Sequence, residues 1–164
     1  MLSRATLKTP VGTLFLISHE HLLLASGFSS FKELSTQLDL EDQNRRTQDV
    51  KRLPIITELI SDYFDGDLTA IDGIAVRQPG ERFSQSAWKA MRKVMAGKTI
   101  SYSDLAKRAG SPDAVRAAGS ACARNLVALV VPCHRIVKTG GALGNYAYGL
   151  GVKEWLLRHE GALK

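Results

Sequence analysis

Two short apolar runs open the chain, residues 12–18 and residues 21–28, with polar His19 and Glu20 between them. Runs of this length flanked by polar residues predict two strands joined by a tight turn. From residue 50 to residue 64 the spacing changes: Leu53, Ile56, Leu59, Ile60, Tyr63 and Phe64 recur as one face of a helix, and Asp65-Gly66 supplies a stop. Pro54 is expected in that helix's first turn. Residues 71–76 predict a further strand. Residues 77–81 contain Pro79-Gly80 and form the best linker, so the reading is a first domain over 1–76, a linker over 77–82 and a second domain over 83–164. In the second domain Ser84 is expected to cap a helix whose Trp88, Met91, Val94 and Met95 form an apolar stripe ending at Gly97. Two shorter helices follow: one opened by Ser101 or Ser103 and ending near Gly110, the other capped by Ser111 with Pro112 at its first position and carrying Arg116 and Arg124. A helix, short turn and helix can present a recognition helix to a DNA groove, or can serve packing alone.

Length and composition narrow the class. A chain of 164 residues buries about 70% of its unfolded surface, which suffices for a core without disulfides or metals. With 45% hydrophobic and 23% charged residues the profile is globular. There is no apolar run of the roughly 20 residues a bilayer requires, and residues 1–10 have no signal-peptide core, so a cytoplasmic protein without membrane contact is expected. Two cysteines, Cys122 and Cys133, do not make a secreted disulfide framework. The net charge of +6 is uneven: residues 1–80 carry 8 Lys/Arg against 11 Asp/Glu, and residues 81–164 carry 14 against 5. The basic half suits a polyanion, since displacing condensed counterions favours nucleic-acid binding, although a solvated basic face has the same composition.

The candidate chemistry lies where the apolar run 126–131, expected as a buried strand, meets Pro132-Cys133-His134-Arg135. Proline stiffens the turn and leaves Cys133 at the core's edge. Buried cysteines are commonly inert, but a neighbouring imidazole and arginine lower a thiol's pKa from roughly 8.5 and supply thiolate. Adjacent side chains in extended backbone point to opposite sides, so His134 is expected to reach Cys133 through a water. A carboxylate must then orient the ring, and Glu160 in a closing helix over 153–160 is the candidate. His19, His21 and His159 read as surface or packing residues.

These residues form a larger pattern. Pro132-Cys133-His134-Arg135-Ile136-Val137, Gly144-Asn145-Tyr146, Lys153-Glu154-Trp155-Leu156-Leu157 and His159-Glu160-Gly161 resemble the signature of the O6-alkylguanine-DNA alkyltransferases. Ile100-Ser101-Tyr102, Leu105-Ala106, Val115-Arg116-Ala117-Ala118-Gly119 and Asn125 fall in that family's order as well, so the resemblance covers about residues 83–161.

The resemblance implies an RNase H-like α/β (α+β) amino-terminal domain followed by a mostly helical, winged-helix-like domain with a helix-turn-helix. It implies one irreversible transfer of an alkyl group, mainly methyl, from O6-alkylguanine in double-stranded DNA, and also from O4-alkylthymine, to Cys133. The target nucleotide must leave the stack at a cost of a few kcal/mol. Arg116 resembles the arginine that fills the vacated stack, with Ala117, Gly119, Ser120 and Cys122 on the DNA-facing helix; Tyr102 resembles the tyrosine that donates to guanine N3. Cys133, His134 and Glu160 carry the transfer, Asn125 braces the turn, and Ile136, Tyr146, Ala147 and Tyr148 belong to the substrate pocket. No cofactor and no metal are implied, because the first domain lacks the cysteines that hold zinc in some relatives; a monomer is implied, with cooperative binding to DNA left open.

Departures from the pattern are Leu126 in place of a proline and Ser120 in place of a glycine, which bear on DNA affinity, and Tyr148, where many relatives carry glycine. Two other readings remain at this stage: a lesion sensor or helix-turn-helix regulator that binds without transfer, which would have no need of Cys133, and a cysteine hydrolase built on Cys133, His134 and Glu160. A bulky residue at 148 narrows the pocket against large adducts, so O6-methylguanine is expected to react faster than O6-benzylguanine; equal rates in a competition assay would rule this out.

Overall fold

The structure is a computed structural model describing residues 1–164. Its contacts divide the chain into two compact units, Met1–Pro79 with Leu126–Val130, and Gly80–Asn125 with Val131–Lys164. No helix is long and apolar enough to cross a membrane.

The first unit is built on a four-stranded sheet. Strand β1 (Leu2–Thr9) forms an antiparallel pair with β2 (Gly12–His19), which pairs antiparallel with β3 (Leu22–Gly27); β4 (Thr47–Asp49) adds to the other side of β1 in parallel, giving the order β3-β2-β1-β4. Strands β2 and β3 are the predicted pair, with a register shift at Ile17/Ser18. Strand β1 was not predicted, because only Leu2 and Ala5 of its eight residues are buried and its alternation is weak. Helices α1 (Phe31–Thr36) and α2 (Leu40–Gln43) connect β3 to β4, α1 capped by Ser30, whose hydroxyl accepts from Glu33 N. Leu34 and Leu38 pack with Leu2, Ile17, Leu24 and Ala25, and Leu126 completes this cluster.

Several expectations for this unit are corrected. Helix α3 runs only over Ile56–Phe64: Pro54 lies in a turn ahead of it, and Ile55 takes a positive φ of 70° that helical backbone does not permit. Residues 71–76 are not a strand. Ala70–Gly73 is a 3-10 turn, and Val76 makes a lone bridge to Leu23. The run 126–131 is fully buried as expected but is not a strand either. Val127 makes a single bridge to Ser26, and Leu129 has a φ of 73° that turns the chain back. Leu126–Val130, placed by sequence in the second domain, groups with the first unit.

The second unit is helical. Helix α4 (Arg82–Arg92) starts after Glu81, so Ser84 lies within it rather than at its cap, and Met95 is exposed while Trp88, Met91 and Val94 are buried. Helix α5 (Tyr102–Arg108) is capped by Ser101, whose hydroxyl accepts from Asp104 N. It ends where Gly110 N donates to Lys107 O and Ser111 N to Ala106 O, a closure that requires the left-handed φ of 92° at Gly110. Helix α6 (Val115–Arg124) begins after Ala114, so Ser111-Pro112 belong to the connecting turn and not to the helix start. Its buried face is Ala118 and Ala121; small side chains let α6 lie close to its neighbours. Trp88 Nε1 donates to Ala121 O at 2.8 Å, satisfying a last-turn carbonyl that has no partner of its own within the helix. Helix α7 (Leu150–His159) closes the chain.

Gly80 is required by this packing. A Cβ placed there would come within 2.4 and 2.6 Å of the Trp88 ring. Gly80→Ala is expected to displace Trp88 and cost about 1–3 kcal/mol, measured by urea denaturation; an unchanged midpoint and slope would contradict this.

Candidate active site

After the buried turn, Cys133–Arg135 form one 3-10 turn, with Cys133 N donating to Val131 O and Arg135 N to Pro132 O. Asn125 Nδ2 donates to Val131 O at 2.8 Å, so the residue ending α6 holds the approach to Cys133. Strand β6 (Ile136–Val137) then pairs in parallel with β5 (Ile100–Ser101), matching Ile100 with Ile136 and Ser101 with Val137. Because Tyr102 follows β5 directly and Cys133 lies just ahead of β6, this short ladder sets the tyrosine and the cysteine in one place.

Behind Cys133 is a fully buried cluster of charged and polar groups. Glu160 Oε2 lies 2.8 Å from His134 Nε2, while Arg135 Nε and Nη2 donate to Glu160 Oε1 and Oε2 at 2.8 and 2.9 Å. The remaining fork nitrogen of Arg135 donates to Val94 O. With Nε2 facing the carboxylate, Nε2 carries the ring hydrogen and Nδ1 is left as an acceptor. Nδ1 is buried and has no hydrogen-bond partner in the protein. Lys153 is buried too, its Nζ donating to Ile136 O at 2.6 Å and Asn145 O at 3.1 Å and lying 6.0 Å from the Tyr102 ring centre.

In front of Cys133 opens a cavity of about 720 Å³, of the size that takes a small-molecule ligand. Cys133, Tyr102, Arg116, Gly119, Ser120, Cys122, Tyr146 and Ala147 line it, together with Val115, Ala123, Lys138, Gly144 and Asn145. Glycine is needed at 144: a Cβ there would meet Tyr102 Oη at 2.8 Å, and its φ is 75°. Ala117 is exposed on α6 outside the lining. Among the pocket residues expected from sequence, Asn125, Ile136 and Tyr148 do not line the cavity. Asn125 and Ile136 support it through Val131 and Lys153, and Tyr148 packs edge-on against Tyr146 at 5.8 Å, so its bulk acts through that ring. No three His, Cys, Asp or Glu side chains converge as a metal-binding group.

The electrostatics correct one sequence expectation. Cys133 is not poised as thiolate by His134 and Arg135: burial pushes its thiol up, and the opposing influences are the Asn125 side chain and the Lys153 ammonium. Burial raises Cys122 as well, and raises Tyr102, so all three are protonated at rest. Burial pushes His134 down further than the nearby Glu160 lifts it, leaving a neutral ring. Burial alone would raise Glu160, but its contacts with His134 and Arg135 outweigh this and hold it far below the usual carboxylate range. Arg135, Lys138 and Lys153 were not identified as site residues from sequence. Arg135 was named only as a neighbour of the thiol, and a buried lysine on an amphipathic helix is indistinguishable in sequence from one on its solvent face.

A thiol at the wall of a cavity of this size, with a buried His-Glu pair behind it and a helix pair beside it, is an arrangement suited to a cysteine that accepts a group from a bound base. The family described as 6-O-methylguanine DNA methyltransferase, DNA binding domain, matches residues 82–162. A methylated-DNA–protein-cysteine methyltransferase of Shigella flexneri is 35% identical across 94% of this chain and 93% of its own length, and that of Homo sapiens is 53% identical over 47% of this chain and 37% of its own. The Mycobacterium tuberculosis OGT structure in complex with DNA superposes with a TM-score of 0.83 at 28% identity, covering 98% of this chain and 93% of that one. The chain belongs to the methylated-DNA–protein-cysteine methyltransferase family.

Because His134 and Glu160 both titrate lower in the folded chain than unfolded, both contribute stability that is complete above the ordinary imidazole value of 6.5. That stability is lost as pH falls, first below 6.5 through His134 and then below 4.5 through Glu160. Glu160→Gln leaves Arg135 buried without its counter-charge, so a loss of about 3–5 kcal/mol at neutral pH is expected, with a shallower decline below 4.5. Urea midpoints across pH measure both effects, and a variant as stable as the parent would refute them.

Proposed function

We propose that the chain repairs DNA by taking the alkyl group of O6-alkylguanine, and of O4-alkylthymine, onto Cys133 Sγ, once and irreversibly. The observation that carries this reading is the cavity itself: one wall is the Cys133 thiol, another is Tyr102, and its two cations, Arg116 and Lys138, have no carboxylate beside them among the lining residues. Such a cavity suits a neutral base attached to anionic phosphates. Double-stranded DNA is the partner, and a monomer in the cytoplasm is the working form. We read the first unit as RNase H-like and the second as winged-helix-like, joined by the linker 77–82.

The base enters by leaving the duplex, and Arg116 on the exposed N-terminal turn of α6 replaces it in the stack, repaying part of the unstacking cost. Ala117, Gly119 and Ser120 bring the α6 backbone close to the phosphates, and Lys138 adds a charged contact there. In the pocket the thiol proton passes through a water to His134 Nδ1, and Glu160 steadies the imidazolium that results. Sγ then attacks the alkyl carbon in line. The S–C bond forms as the C–O6 bond breaks, and charge accumulates on the guanine. Tyr102 Oη, kept protonated by burial, donates to N3 and spreads that charge. The proton that left the sulfur ends on N1 of the departing guanine, so the net change is O6-alkyl ether plus thiol to thioether plus guanine in its lactam form. A thioether has no good leaving group, and no second nucleophile in the pocket is activated to remove the alkyl group, since burial holds Cys122 as a thiol.

Proton removal coupled to attack explains how a buried thiol can react without resting as thiolate. Two tests follow from this. Incubated with excess O6-methylguanine duplex, the protein should gain the mass of one methylene on the peptide containing Cys133 and nothing more, while Cys133→Ser gains none. Methyl transfer by Cys133→Ser, or repeated turnover by the parent, would overturn the reading.

A further inference from the structure

A second concavity lies in the helical unit, away from Cys133. It measures about 500 Å³ and is formed by Ser86, Lys89 and Ala90 of α4 and Lys93 just after it, with Arg108 at the end of α5 and Ala109 and Gly110 just beyond. Lys89 lies in the last turn of α4, and Lys93, four residues on, caps that helix. Both are exposed, as is Arg108, and none of the three makes an ion pair. The exposed ion pairs of the chain lie elsewhere: Arg4 with Asp49, Arg45 with Glu41 and Asp42, Arg77 with Asp42, and Arg158 with Glu154. Here no acidic side chain lines the cleft.

Helix ends favour cations, and Lys89 and Arg108 lie in the last turns of α4 and α5. That accounts for each residue singly. It does not account for cations from two helices converging on one hollow, where like charges a turn apart cost about 0.2–0.5 kcal/mol on a helix. The floor of the hollow is Ala90, Ala109 and Gly110, which leave room, and Ser86 adds a hydroxyl donor at its edge. Cations and a hydroxyl around a small-residue floor are the contacts a phosphodiester accepts.

We propose that this cleft binds the phosphodiester backbone of duplex DNA, as a second contact separate from α6. The inference rests on the reading of the chain as one that acts on DNA. It gives a function to basic charge that the recognition helix and the reaction pocket leave unused: Arg116 and Lys138 serve the pocket, while Lys89, Lys93 and Arg108 lie outside its lining. The phosphates can come from the flank of the duplex under repair or from a second duplex segment.

The test compares the parent protein with Lys89→Gln/Lys93→Gln/Arg108→Gln on undamaged duplex of about three helical turns across a range of salt. The plot of log affinity against log salt should lose about 0.9 in slope for each phosphate contact removed, with affinity at low salt falling at least tenfold. Lys93→Gln alone should lose about one such step. Transfer from free O6-methylguanine to Cys133, which needs no duplex, should match the parent and so certifies that the variant is folded. An unchanged salt slope in a variant that still alkylates would overturn the cleft. Failure of the parent itself to accept an alkyl group would instead overturn the reading of Cys133. A deficit that vanishes on a duplex of about one turn assigns the phosphates to the flank. A loss of retention of a labelled second duplex by the bound complex assigns them to another segment. Absence of both deficits counts against the proposal.

Discussion

One buried carboxylate organises the reactive centre. Glu160 accepts from His134 on one side and from the Arg135 fork on the other, and none of these groups has access to water. Charges taken out of water are tolerated only when their hydrogen-bonding capacity is met, and here a neutral imidazole, one guanidinium and one carboxylate balance. Since Cys133, His134 and Arg135 share a single 3-10 turn, fixing the last two fixes the orientation of the first. Lys153 extends the same logic forward. By donating to Ile136 O and Asn145 O it joins the strand after Cys133 to the loop that carries Tyr146.

Burying the nucleophile has a chemical cost and a chemical return. A thiol set into the protein wall is a weak acid, so the sulfur does not wait as thiolate. Once a base fills the cavity, the same low-polarity surroundings strengthen electrostatic contacts to the transition state, including that of the Tyr102 hydroxyl. For an enzyme that must cycle this would be a poor arrangement. For a protein used once, slow resting reactivity combined with fast reaction in a filled pocket is consistent with its chemistry.

Much of this was legible in the sequence where local patterns are strong. The β2–β3 pair, a serine cap at 101 or 103, the short helix pair and the stretch around Cys133 were all marked by residue type and spacing, and the ordered motifs over residues 83–161 pointed to the family. What escaped was set by tertiary context. Strand β1 and the three residues of β4 have too few apolar positions to show a period, and β4 is exposed throughout. The run 126–131 has the composition of a central strand, yet a left-handed residue at Leu129 makes it a turn, which no propensity indicates. Arg135 and Lys153 look like ordinary surface cations in the sequence; their burial depends on carbonyls and a carboxylate brought from 8 to 41 residues away. Tyr148 was expected in the pocket wall because it lies in the loop, but its ring turns to Tyr146 instead.

The depth of Cys133 also bears on how long an unused molecule remains serviceable. Only 8% of the residue is accessible. Freely diffusing methylating agents and oxidants act on exposed, ionised sulfur, and this one is neither. A molecule that cannot regenerate its sulfur is spared from being spent by stray electrophiles in solution, and its capacity is kept for lesions delivered by DNA.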